Sequence, residues 1–64
     1  MKKWIATAVG QMHINRITHS DLARHLGCTR EYVTMILNGR KEPKDAETRI
    51  KTAIKEIIAE RGAV

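Results

Sequence analysis

Between Thr18 and Gly39 the sequence THSDLARHLGCTREYVTMILNG runs the same short pattern twice: a hydroxyl residue, a segment with apolar side chains three and four apart, then a glycine. That pattern leaves the backbone little choice. A Thr side chain ahead of the first apolar residue can accept a hydrogen bond from an otherwise unpaired N–H at a helix start, and glycine just past the last one takes the positive φ that ends a helix. Thr18 is followed three residues later by Asp21, close to a capping box with Asp in place of the preferred Glu. The spacing predicts one helix over about 19–26, burying Leu22, Ala23 and Leu26. Gly27-Cys28 then supplies the turn and Thr29 caps a second helix over about 30–37. Val33, Ile36 and Leu37 form the inward face of that second helix, and Asn38-Gly39 stops it.

The flanks follow the same period. From Lys3 to about His13, Trp4, Ile5, Ala8, Val9 and Met12 make an amphipathic stripe. Gly10 weakens it by about 1 kcal/mol relative to Ala. His13-Ile14-Asn15-Arg16 reads as a connection, with Asn15 suited to the left-handed conformation at a helix end. After Pro43, Asp45 can cap a last helix over about 45–61, whose stripe is Ile50, Ala53, Ile54, Ile57 and Ile58. No segment alternates with period two. The expected fold is therefore all-α, a single compact domain of four to five helices over residues 1–64, the fifth element lying near Pro43. Five apolar residues in the last stripe exceed what one helix edge gives so small a core, so Ile50, Ile54, Ile57 and Ile58 are expected to face a second copy of the chain.

Charge narrows the class of partner. Twelve Lys and Arg against seven Asp and Glu give a net charge of +5, with a pI near 9.9, in 64 residues. A small domain so basic is suited to a polyanion, nucleic acid or an anionic membrane surface. The single Cys28 can form no internal disulfide, which fits a reducing, cytoplasmic setting. Met1 to Ala6 begins like a signal peptide, but its apolar run stops at Gly10-Gln11. No stretch approaches the roughly 20 apolar residues of a membrane span. His13, His19 and His25 recur every six residues and so point to different helix faces, unlike metal ligands, so no metal or other cofactor is expected. No Ser/His/Asp or Cys/His arrangement sits in a motif, and an enzyme is not expected either.

Two short helices joined by a glycine-containing turn can form a helix-turn-helix unit, provided a small residue lies where the backbones approach and a residue free to take positive φ lies at the turn. Ala23 and Gly27 meet those needs, and Leu22, Leu26, Val33 and Ile36 can fill the wedge between the helices. From Ile17 to Pro43, 27 of the 64 positions, ITHSDLARHLG, CTREYVTMIL and NGRKEP follow one another without a gap. This stretch resembles the Cro and phage-repressor (lambda-repressor-like) family of helix-turn-helix regulators. The resemblance implies a DNA-binding transcriptional regulator of phage or prophage origin, closer to a Cro-type protein than to a two-domain repressor. Members of the family usually carry Gln where this chain has His19, a position implied to brace the DNA backbone, and His can donate a hydrogen bond there. The C-terminal third departs from the family's five-helix pattern, one long stripe replacing two short helices.

In such a unit the second helix lies in the major groove with its N-terminal residues against base edges. The expected base-reading residues are Arg30, Glu31, Tyr32, Thr34 and Met35. Arg can pair with guanine O6 and N7, Glu can accept from cytosine N4, and Met can touch a thymine methyl. His19, Thr29, Asn38, Arg40, Lys41 and Lys44 are expected along the phosphates, fixing register without reading sequence. Plainer alternatives stay open: Arg30 and Glu31 as solvated charges, Tyr32 packed on the core edge, Met35 as core filling, Cys28 as a buried thiol. At the level of the whole chain, the leading expectation is a homodimer on a two-fold symmetric operator of double-stranded DNA. Its rivals are a protein-interaction adaptor using the Ile stripe with Tyr32 and Met35, and a non-specific DNA-binding protein.

Overall fold

A computed structural model describes residues 2–62 and contains four helices: α1 Lys3–Ile14, α2 His19–Leu26, α3 Arg30–Leu37 and α4 Ala46–Gly62. No strand occurs among the described residues. The α1 stripe works as expected at Ile5, Ala8 and Met12, which are buried, and less so at Val9, which is exposed. Gly10 sits on the solvent face and the helix runs through it.

The end of α1 differs from the expectation in which residue turns the chain. Asn15 stays at φ −97°, and Arg16, at φ 55°, takes the left-handed conformation. The reason is the closing hydrogen-bond pattern. The Ile17 N–H reaches back to the Met12 carbonyl at 2.8 Å and the Arg16 N–H to the His13 carbonyl at 3.3 Å, the paired bonds of a Schellman ending. That pattern demands its left-handed residue one place after Asn15. It also folds Ile17 back beside Met12, both buried, so burial of Ile17 offsets the steric cost of a left-handed Arg, of order 1–2 kcal/mol.

Helices α2 and α3 begin and end where their caps place them. Thr18 and Asp21 form a complete capping box: the Asp21 N–H donates to Thr18 Oγ1 at 3.0 Å and the Thr18 N–H to Asp21 Oδ2 at 2.9 Å. Gly27 is at φ 75°, and the Tyr32 N–H donates to Thr29 Oγ1 at 3.1 Å. After α3 a second Schellman pattern appears. Gly39 is at φ 77°, its N–H reaches Ile36 O at 3.1 Å, and the N–H groups of Arg40 and Lys41 converge on Met35 O at 2.9 and 3.2 Å.

Residues 41–45 form no helix, so the fifth element expected near Pro43 is absent. The segment is an irregular stretch and a turn, in which the Ala46 N–H reaches Pro43 O at 3.1 Å. Proline has no N–H to donate and restricts the residue before it, which keeps this link from coiling. The chain then enters α4 with the Asp45 carbonyl accepting from the Arg49 N–H.

Core residues come from all four helices together with Ile17, and the most deeply enclosed are Leu22, Val33, Ile50 and Ile54. Helix α2 packs on α3, and α4 packs on both α1 and α2. This arrangement corrects the assignment of a dimer face to α4. Ile50, Ile54 and Ile57 are 1%, 0% and 7% exposed within one chain, and the half-buried Ile58 packs against the same core. What reads as a surplus stripe in the sequence is needed because α4 is the helix against which both α1 and α2 close.

Candidate functional site

Val33, Ile36 and Leu37 turn into the core, and that fixes where the rest of α3 points. Glu31, Met35 and Asn38, at spacings of four and three, share the face directly away from them. Arg30 and Thr34 lie on one flank and Tyr32 on the other. Arg30, Glu31 and Asn38 are exposed, whereas Tyr32, Thr34 and Met35 are half-buried. Thr29, Arg40, Lys41 and Lys44 are exposed too, and His19 is half-buried. The expected base-reading and phosphate residues therefore sit on α3, on its two ends and at the start of α2, and each of them has at least part of its surface open.

The half-buried members have particular neighbours. Tyr32 packs against the core alongside Leu26 and Cys28, and Lys41 Nζ stands 5.7 Å from the centre of its ring, within the range of a cation–π contact. Tyr32 is thus partly a packing residue that holds Lys41 near the helix. Met35 is not among the partly buried side chains packed on the core, which are Trp4, Leu26, Cys28, Tyr32 and Ile58. Thr34 Oγ1 lies 2.8 Å from His19 Nδ1, so one expected base reader and one expected phosphate residue are joined to each other.

Backbone geometry places the cations of the exit loop. With the Arg40 and Lys41 N–H groups both held by the Met35 carbonyl, the two side chains leave from a fixed turn directly after α3. Glu42, the acid next to them, pairs with Lys2 at 2.7 Å. Each partner is more than half exposed, so this pair contributes little to stability, but it offsets the negative charge that adjoins Lys41. Arg30, Arg40, Lys41 and Lys44 then face outward with Glu31 as the acid on the exposed face of α3.

Residues outside the motif hold this surface in place, and sequence periodicity gives no sign of them. Arg61, near the end of α4, donates through Nη1 to the carbonyls of Asn15 and Arg16 and approaches Asp21 Oδ2 through Nη2 at 3.3 Å. It ties α4 to the α1–α2 turn and to the start of α2. The Asp21 carboxyl is held below its ordinary value near 3.8, chiefly by the Thr18 backbone N–H. Partial burial opposes this, while the Thr18 hydroxyl and the guanidinium groups of Arg61 and Arg24 add to it. The three histidines have separate surroundings: His19 is bonded to Thr34, His25 Nε2 lies 2.7 Å from Glu56 Oε1, and His13 is exposed. Among the described residues no helix is long and apolar enough to cross a membrane. No protein-family model, curated protein or solved structure matches the chain.

Proposed function

We propose that the chain is a sequence-specific DNA-binding regulator of transcription that acts as a homodimer on a two-fold symmetric operator. One observation carries this reading. An eight-residue helix leaves Arg30 and Glu31 exposed and Met35 half-buried on the sides turned away from the core, while its exit turn fixes Arg40 and Lys41 beside them through the Met35 carbonyl. Side chains that can discriminate base edges are thereby set next to cations that can hold phosphates. Arg30 suits guanine, Glu31 cytosine N4 and Met35 a thymine methyl, with Tyr32 at the margin. Thr29, Asn38, Arg40, Lys41, Lys44 and His19 would fix register on the backbone. Neutralising phosphates releases counterions, so affinity falls as salt rises. One domain presents one such helix, and useful specificity calls for two copies about 34–36 Å apart. The burial of Ile50, Ile54 and Ile57 removes most of the apolar surface on which the adaptor reading rested.

Titrating a fluorescent duplex of mixed sequence with the protein at several salt concentrations tests the electrostatic half of this mechanism. Log affinity should fall linearly with log salt, and Lys41→Ala should reduce the slope by about 1. A duplex that is not bound, or one bound with an affinity that ignores salt, would contradict phosphate contacts at this face.

A further inference from the structure

The contact between His19 and Thr34 gives Thr34 a role other than reading bases. His19 opens α2 and Thr34 lies in the middle of α3, fifteen residues on, and their side chains meet at 2.8 Å in a partly buried position. A hydroxyl carries one proton. Among the described residues the only hydrogen-bond partner of Thr34 Oγ1 is His19 Nδ1, and His19 Nε2 has none. We propose that Thr34 is a positioning residue: its hydroxyl donates to Nδ1, which places the imidazole proton on Nε2 and turns His19 into a fixed hydrogen-bond donor for a DNA phosphate.

The two tautomers differ in what they offer a phosphate. A neutral imidazole has one N–H and one lone pair. With Nδ1 accepting from Thr34, Nε2 carries the proton in the neutral ring, and it carries one in the protonated ring as well. With the proton on Nδ1 instead, neutral His19 would present a lone pair at Nε2, which a phosphate oxygen repels. The bond also fixes the ring against α3, so the donor at the start of α2 and the base-reading side chains of α3 keep a constant separation. That constancy lets a phosphate contact set the register in which Arg30 and Glu31 meet the bases. The phosphate role rests on the proposed DNA binding; the tautomer does not.

Two measurements separate these parts. Long-range proton–nitrogen correlation spectra of the free protein should show His19 with its proton on Nε2, mixed tautomers in Thr34→Val, and the parent pattern in Thr34→Ser, which restores the hydroxyl. In duplex binding at fixed salt, Thr34→Val should lose about threefold to tenfold in affinity on every sequence, the range of a single hydrogen bond. His19→Ala should lose a similar factor, the double variant little more, and Thr34→Ser should recover. A His19 proton on Nδ1 in the parent would overturn the proposal. So would a Thr34→Val variant that keeps its affinity but changes which base it prefers, since Thr34 would then be a base reader. The expected tautomer in a chain that binds no duplex would overturn the phosphate role together with the DNA-binding reading, leaving only the hydrogen-bond assignment.

Discussion

Asp21 shows how much one side chain can hold together. Its carboxylate accepts the Thr18 N–H, pairs with Arg24 at 3.0 Å and meets Arg61 at 3.3 Å. Because its folded pKa is depressed, the stabilisation it gives is present above the unfolded value near 3.8 and is lost as pH falls through the lower folded value. The parent should therefore lose stability on acidification below about pH 4, and Asp21→Asn should show a shallower acid limb in urea melts taken across that window. Replacing Thr18 by Ala removes the other half of the box and should cost about 1 kcal/mol at neutral pH. Gly10→Ala should act in the opposite direction, raising stability by about 1 kcal/mol in the same melts, because Gly10 is helical and exposed and an added Cβ meets nothing within 4 Å. The capping box is legible in the sequence because its members are three residues apart. Arg61 is not, since its partners lie 40 to 46 residues away and nothing local distinguishes it from any other surface arginine.

At the scale of elements, local signals determine where α2 and α3 run, and long-range packing determines what α4 is for. Thr18, Gly27, Thr29 and Gly39 each act within a turn of themselves, and both inner helices have the bounds their spacing predicts. The apolar stripe of α4 states how much surface must be covered and not by what. A second copy and the remainder of the same chain give the same pattern in sequence; only the packing of α1 and α2 onto α4 decides between them. The consequence is measurable. Ile57→Glu would have left a folded monomer had that face been a dimer interface. With Ile57 7% exposed in the core, the charge is left without a partner in apolar surroundings. The variant should lose its helical circular dichroism near room temperature, or melt far below the parent. Ile54→Ala should remain folded but cost about 2–5 kcal/mol, since it leaves a cavity at the most enclosed position of α4.

Across the whole molecule, the acids and bases are arranged differently at the α2–α4 contact and around the exit of α3. Where α2 meets α4, Asp21 pairs with Arg24 and Arg61, and His25 lies against Glu56. Around the exit of α3, Glu42 is matched by Lys2, and Arg40, Lys41 and Lys44 remain exposed. The net charge of +5 is thus expressed partly next to the helix that carries Arg30, Glu31 and Met35. Most of that surface is legible from helical spacing, because α3 has a single apolar face and everything opposite it must point outward. The pairing of His19 with Thr34 and the packing of Tyr32 are not legible, since each depends on how a neighbouring element is placed. Selection from a randomised pool of duplex DNA at about 150 mM salt, near physiological ionic strength, measures whether this surface discriminates sequence. The retained duplexes should share a two-fold symmetric motif with half-sites about one helical turn apart, and Arg30→Ala should relax the preference at one base position in each half-site. Retention without any motif, or no retention at all, would contradict sequence discrimination.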